Sequence, residues 1–188
     1  MRSTLARLAL SAAAAAALFV APAGASAGGY VSVGVGDGAE LDGDLAAGFS
    51  TDPQTDDYRL ALGQRVGPIA IEAAVYGSEL RGGAGDAAIV SAAVDLRAYH
   101  GLGAGFELFA RGGVNKTWLR PGGDAPDLAG RGHQLGFGAQ YRLTTGLIGE
   151  AALWLDVSRT YVDLIDGDAV AEVTGSYDLV QIGVSVGL

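Results

Sequence analysis

In the closing stretch "SYDLVQIGVSVGL", Val180, Ile182, Val184, Val186 and Leu188 alternate with Gln181, Gly183, Ser185 and Gly187. A period of two sends successive side chains to opposite faces of a strand, so the pattern predicts a strand with one apolar face. The same period recurs along the chain and predicts eight strands. They are Tyr30–Gly36, Tyr58–Arg65, Ile69–Tyr76, Ala88–Tyr99, Phe106–Asn115, Gln134–Leu143, Ile148–Tyr161 and Tyr177–Leu188. Beyond residue 27 no helical period is sustained.

Connection lengths add topology. Segments two and three are joined by "VGP", four and five by "HGLGAG", six and seven by "TTGL". The other four connections are long and polar: residues 37–57, 77–87, 116–133 and 162–176. Strict alternation of short and long links predicts an all-β fold, an eight-stranded antiparallel up-and-down transmembrane β-barrel. The tight turns would lie on the periplasmic side and the long loops outside the cell.

The two faces differ in kind. One carries Val31, Val33, Val35, Leu60, Leu62, Ile69, Ile71, Val75, Val90, Val94, Leu96, Leu108, Val114, Leu135, Phe137, Leu153, Leu155, Val157 and the Val180–Leu188 series. The other mixes glycine, alanine and serine with ions. A soluble barrel has the same alternation turned inside out. Small residues among the charges suit a narrow lumen better than a wet exterior, and the charged face carries no lysine. Aromatics at segment ends predict two interfacial girdles, Tyr30, Tyr99, Phe106 and Tyr141 near the short turns and Tyr58, Tyr76, Trp118, Tyr161 and Tyr177 near the long loops. Backbone groups in hydrocarbon must pair internally, which a closed barrel achieves.

Composition sharpens this picture. Met1–Arg7 carries two arginines, Leu8–Val20 is apolar or small, and Ala25 and Ala27 fit an A-x-A cleavage site. That order predicts a cleaved secretory signal peptide over 1–27, with the barrel domain over 28–188. The run is too short for a membrane-spanning helix. There is no cysteine, hence no disulfide. A net charge of −9 argues against a nucleic-acid partner.

At this point the chain resembles the small outer-membrane β-barrel family of OmpA, OmpX and opacity-type proteins. The stretches that carry the resemblance are "YVSVGVG", "LALGQRVGPIAIEAAVYG" with its inward Glu72, and "YDLVQIGVSVGL". The resemblance implies integral placement in the outer membrane of a Gram-negative cell, among lipid and lipopolysaccharide. It also implies that the last strand, through Tyr177, Val180, Ile182, Val184, Val186 and Leu188, is the address read by the barrel-assembly machinery. The family usually ends in Phe, where this chain has Leu188.

Candidate chemistry concentrates on the inner face. Arg59, Arg65, Arg97, Arg111 and Arg142 face Glu72, Asp95, Glu107, Glu150 and Asp156, a nearly neutral set. Buried ions must be paired, so these residues predict a salt-bridged network plugging the lumen; a gated path, with pairs such as Glu72 and Arg65 exchanging partners, is the alternative. Acids beside arginines are poor proton donors, which discounts catalysis. His133 lacks the serine two residues on that a lipid A deacylase needs, and His100 lies in a short turn. Gly34, Gly36 and Gly38 sit on a strand rather than before a helix, so they form no dinucleotide motif. Acidic runs at Asp37, Glu40, Asp42 and Asp44, and at Asp163, Asp166 and Asp168, match no EF-hand spacing. The expectation is a non-enzymatic structural or interaction protein without cofactor or metal, its long loops meeting an unidentified extracellular ligand. A narrow porin-like channel and a lipid A-modifying enzyme are the alternatives.

Overall fold

The computed structural model describes residues 28–36, 40–47, 54–81, 87–121, 127–145, 149–166 and 172–187. The leader expected over 1–27, Asp37, Asp168 and Leu188 lie outside them. Among the described residues no helix is long and apolar enough to cross a membrane. The crossing is made by strands.

The strands are β1 (Gly28–Gly36), β2 (Glu40–Gly43), β3 (Gln54–Val66), β4 (Ile69–Arg81), β5 (Ala87–Gly103), β6 (Phe106–Arg120), β7 (Leu128–Thr145), β8 (Gly149–Asp166) and β9 (Glu172–Gly187). A short helix, α1 (Asp44–Ala47), follows β2. All neighbours are antiparallel, in the order β1-β3-β4-β5-β6-β7-β8-β9. The ring closes where β1 pairs with β9, Val31 opposite Val186 and Val35 opposite Ile182. Further along β9, β2 takes over that edge, with Leu41 opposite Tyr177. The ring is therefore eight strands wide, and the closing strand has a partner on both sides.

The short connections are tight. Gly67 (φ 58°) turns β3 into β4, and Gly103, Ala104 and Gly105 (φ 93°, 51° and 85°) turn β5 into β6. Three consecutive left-handed residues explain the two glycines there. Each turn is tied to the next strand, by Tyr99 N–H to Pro68 O at 2.7 Å and Arg142 N–H to Gly105 O at 2.8 Å.

The apolar face points outward. Val114, Phe137, Leu135, Val35 and Ile182 are among its most exposed members. On β6 the outward positions from Phe106 to Val114 are apolar or glycine. At ~3.3 Å rise per residue and a tilt of ~40°, that stretch spans roughly 20 Å of bilayer.

Two expectations are corrected. Residues 77–87, 116–133 and 162–176 are not mainly loop, because β4 to β9 run into them from both sides. The period of two continues there, with the apolar parity moved to the inner face: Leu80, Leu119, Leu128, Val162 and Leu164 are buried inside, beside Ile89 and Leu179 of the flanking strand ends. Four aromatics also leave the expected girdles. Tyr76 and Tyr177 are buried, Tyr30 donates inward to Glu72, and Tyr99 lies under the Arg65 guanidinium. Phe106 and Tyr141, 4.6 Å apart between centroids, mark the outer surface at one end. Trp118 and Tyr161 mark it at the other.

Candidate functional site

The lumen is filled in three storeys. At the short-turn mouth Arg65 grips Glu107 with two nitrogens, at 2.8 and 2.9 Å. Gln140 donates to the same carboxylate at 2.7 Å. Arg142 lies 3.5 Å from Glu107 and 3.3 Å from Glu150. Arg65, Arg142 and Glu150 retain solvent contact. Arg65 and Glu150 border a cavity of about 290 Å³ whose wall includes Tyr30, Arg97 and Tyr99.

The middle storey is buried. Arg59 pairs with Glu72. Arg97 approaches Glu72 at 3.4 Å and Asp156 at 3.9 Å. Arg111 binds Asp156 through two nitrogens, at 2.8 and 3.0 Å, and reaches Asp95 at 3.3 Å. Tyr76 joins the pairs: its hydroxyl donates to Asp95 at 2.9 Å and accepts from Arg59 and Gln134, each at 3.3 Å. Charge-assisted, two-pronged contacts of this kind are the strong ones. Rings flank the cations, Arg59 lying 4.9 Å from Trp154 and Arg97 4.7 Å from Phe109.

Glycines make room for one of those rings. A Cβ on Gly34 would lie 2.3 Å from Trp154, and one on Gly183 2.2 Å from it. Gly34 thus serves close packing on a strand.

Above the ions, Ser91 shares hydrogen bonds with Thr117 at 2.6 Å and Tyr177 at 2.7 Å. The third storey is apolar. Leu80, Ile89, Leu119, Leu128, Leu164 and Leu179 cluster with Leu45 of α1, all no more than 8% exposed.

All ten ionic residues singled out by parity thus face inward or line the mouth, but the pair named for the gated alternative is not formed. Glu72 pairs with Arg59 and Arg97, not Arg65. Sequence reasoning missed the bridging Tyr76 and Gln134, although both share parity with inward ions on their strands. In the final strand Val180, Ile182, Val184 and Val186 face outward, whereas Tyr177 is inside. His133 stacks on Tyr161, centroids 4.8 Å apart, and His100 is exposed near the β5–β6 turn. Among the described residues no group of three or more His, Cys, Asp or Glu is placed to hold a metal ion.

The outer rim, where the apolar band ends, carries both signs. Asp56, Glu79 and Asp163 stand outward on β3, β4 and β8, and Lys116, Arg131 and Arg159 on β6, β7 and β8, with Arg131 directly opposite Lys116 on one side and Asp163 on the other. Arg159 is held by Asp178 through two 2.6 Å contacts.

The arrangement is that of an outer-membrane β-barrel: apolar outside, ionic inside, closed on itself. Solved structures share it. The chain resembles Neisserial surface protein A, with a TM-score of 0.63 at 15% identity over 87% of this chain and 99% of that one. It also resembles the N-terminal β-barrel domain of Pseudomonas aeruginosa OprF, with a TM-score of 0.50 at 13% identity over 85% and 97%. A third is a major outer membrane protein from Thermus thermophilus, with a TM-score of 0.50 at 13% identity over 87% and 100%. No family model matches the sequence, and neither does any curated protein. At these identities the shared property is the fold, that of the small eight-stranded outer-membrane barrels.

Proposed function

We propose that this chain is a non-enzymatic, non-conducting resident of the outer membrane that works through its outer surface and rim. The observation that carries the reading is the doubly filled lumen, an ion-paired storey beneath an apolar one. Eight strands enclose little more than side chains. Here the side chains are large, and Arg111 in the middle is fixed to Asp156 by a two-pronged contact. A solute path would have to part Arg111 from Asp156 and then cross a layer of leucines, which strips water from any ion.

Purified protein in planar bilayers tests this. We expect a silent membrane; reproducible unitary steps in wild-type protein, altered in size by Glu72→Ala, would establish the channel instead. For the non-enzymatic part, we expect unchanged lipid A acylation in overexpressing cells, and a new acylation pattern would overturn it.

A further inference from the structure

We propose that the cavity at the short-turn mouth of the lumen is a binding site for a small organic anion bearing one carboxylate, with Arg97 as its anchor. The proposal goes beyond the role of the outer surface and does not depend on whether the lumen conducts.

The cavity follows from the register. Ser32, Ser185 and Ala152 lie side by side across β1, β9 and β8, and all three line it. Beyond them Gly28 and Gly187 add no side chain. In the ring, β5 is separated from β9 by β6, β7 and β8 one way and by β4, β3 and β1 the other. Arg97 and Tyr99 of β5 therefore face this row of small residues from across the lumen. The space between measures about 290 Å³, near the lower end of ordinary small-ligand pockets. It opens at the mouth, where Arg65 and Glu150 keep solvent contact. It is blind at the other end, where Ser32 and Glu72 are buried.

Arg97 is the under-used cation of the buried storey. Its side chain is 2% exposed, yet its Nε and Nη2 have no hydrogen-bond partner among the described residues. Its approaches to Glu72 at 3.4 Å and Asp156 at 3.9 Å are charge contacts only. Every oxygen of those two carboxylates has a nearer donor: Arg59 and Tyr30 on Glu72, and two nitrogens of Arg111 on Asp156. Arg97 also stands directly opposite Arg111 across the β5–β6 pair, and like charges so placed repel. An unmet buried donor costs free energy. A planar carboxylate is the acceptor that a guanidinium fork matches. Arg65 and Arg142 already offset Glu107 and Glu150 at the mouth, which leaves Arg97 to receive a single negative charge. The Tyr30 and Tyr99 rings, with the small side chains of β1, β8 and β9, offer a surface to a short apolar body.

The test uses the isotope-labelled chain refolded in detergent micelles and titrated with sodium butyrate at neutral pH and constant ionic strength. Amide and arginine Nε–H resonances are recorded, and saturable shifts of Arg97, Ser185 and Gly187 are expected. Arg97→Gln should weaken binding about ten-fold or more, the loss of a charge-assisted contact. Ala152→Leu should abolish it by filling the cavity with every charge left in place. Lys116→Gln, at the far rim, should leave it within about two-fold. Folding of each variant is checked by heat-modifiable mobility. Should Arg97→Gln not fold, Ala152→Leu and the ligand series on the wild-type chain decide. Butanol, with the same apolar body and no charge, should give no saturable shift. Butanol or inorganic phosphate binding as tightly as butyrate would overturn the proposal. Displacement of butyrate by an equal concentration of chloride would overturn it too, leaving an adventitious ion only. So would an unchanged affinity in folded Arg97→Gln or Ala152→Leu.

Discussion

Trp154 spans the ring between β8, β9 and β1, resting where Gly183 and Gly34 leave no side chain. Gly183→Ala places a methyl within the ring's volume, and overpacking of this kind costs about 1–3 kcal/mol. Urea unfolding in lipid vesicles should show the loss, with a shift in Trp154 emission. Arg111 is more critical, since Asp95 and Asp156 both depend on it. Arg111→Met leaves Asp95 buried without its cation and Asp156 with only Arg97 at 3.9 Å, and should destabilise by about 3–5 kcal/mol. Adding Asp95→Asn and Asp156→Asn should recover part of that loss in the same assay. The inward direction of these ions was legible from parity alone. Their partners were not, because residues two apart on a strand, such as Asp95 and Arg97, stand about 6.6 Å apart along it. Pairing instead runs between neighbouring strands, as in Arg59–Glu72, Arg97–Glu72 and Arg111–Asp95, whose register the pattern does not give, and across the lumen, as in Arg65–Glu107 and Arg111–Asp156, at a distance that closure of the ring sets.

Along each strand, polarity changes sides part-way. On β8 the apolar outward run Leu153, Leu155, Val157 gives way to the apolar inward pair Val162, Leu164, while Arg159 and Asp163 turn outward. Substitutions should reveal the boundary. Leu155→Arg, in the lipid-facing run, should cost about 2–4 kcal/mol in vesicle refolding titrations, whereas Tyr161→Arg, near the interface, should cost no more than about 1. Leu164→Ala should instead behave as a core truncation of about 2–5 kcal/mol. This inversion is why the strands extend beyond their sequence-derived ends. A reader following one apolar face loses it at the boundary and takes the continuing strand for loop.

Across the apolar band, closure means that each ring strand has two neighbours and no edge is exposed to hydrocarbon. The two filled storeys act in series. Leu119→Ala with Leu164→Ala should lower the unfolding midpoint yet leave planar bilayers silent, because the ion-paired storey remains. Unitary steps from that variant alone would show that the apolar storey is the sole barrier. Strand number, antiparallel order and the facing of the apolar band were determined by sequence, since period two and alternating connection lengths are local properties of the chain. Tertiary structure alone decided which ions meet, which aromatics enter the lumen, and how far the strands rise. Those outcomes depend on the width of the closed ring and on the change of surroundings from lipid to water along one continuous strand.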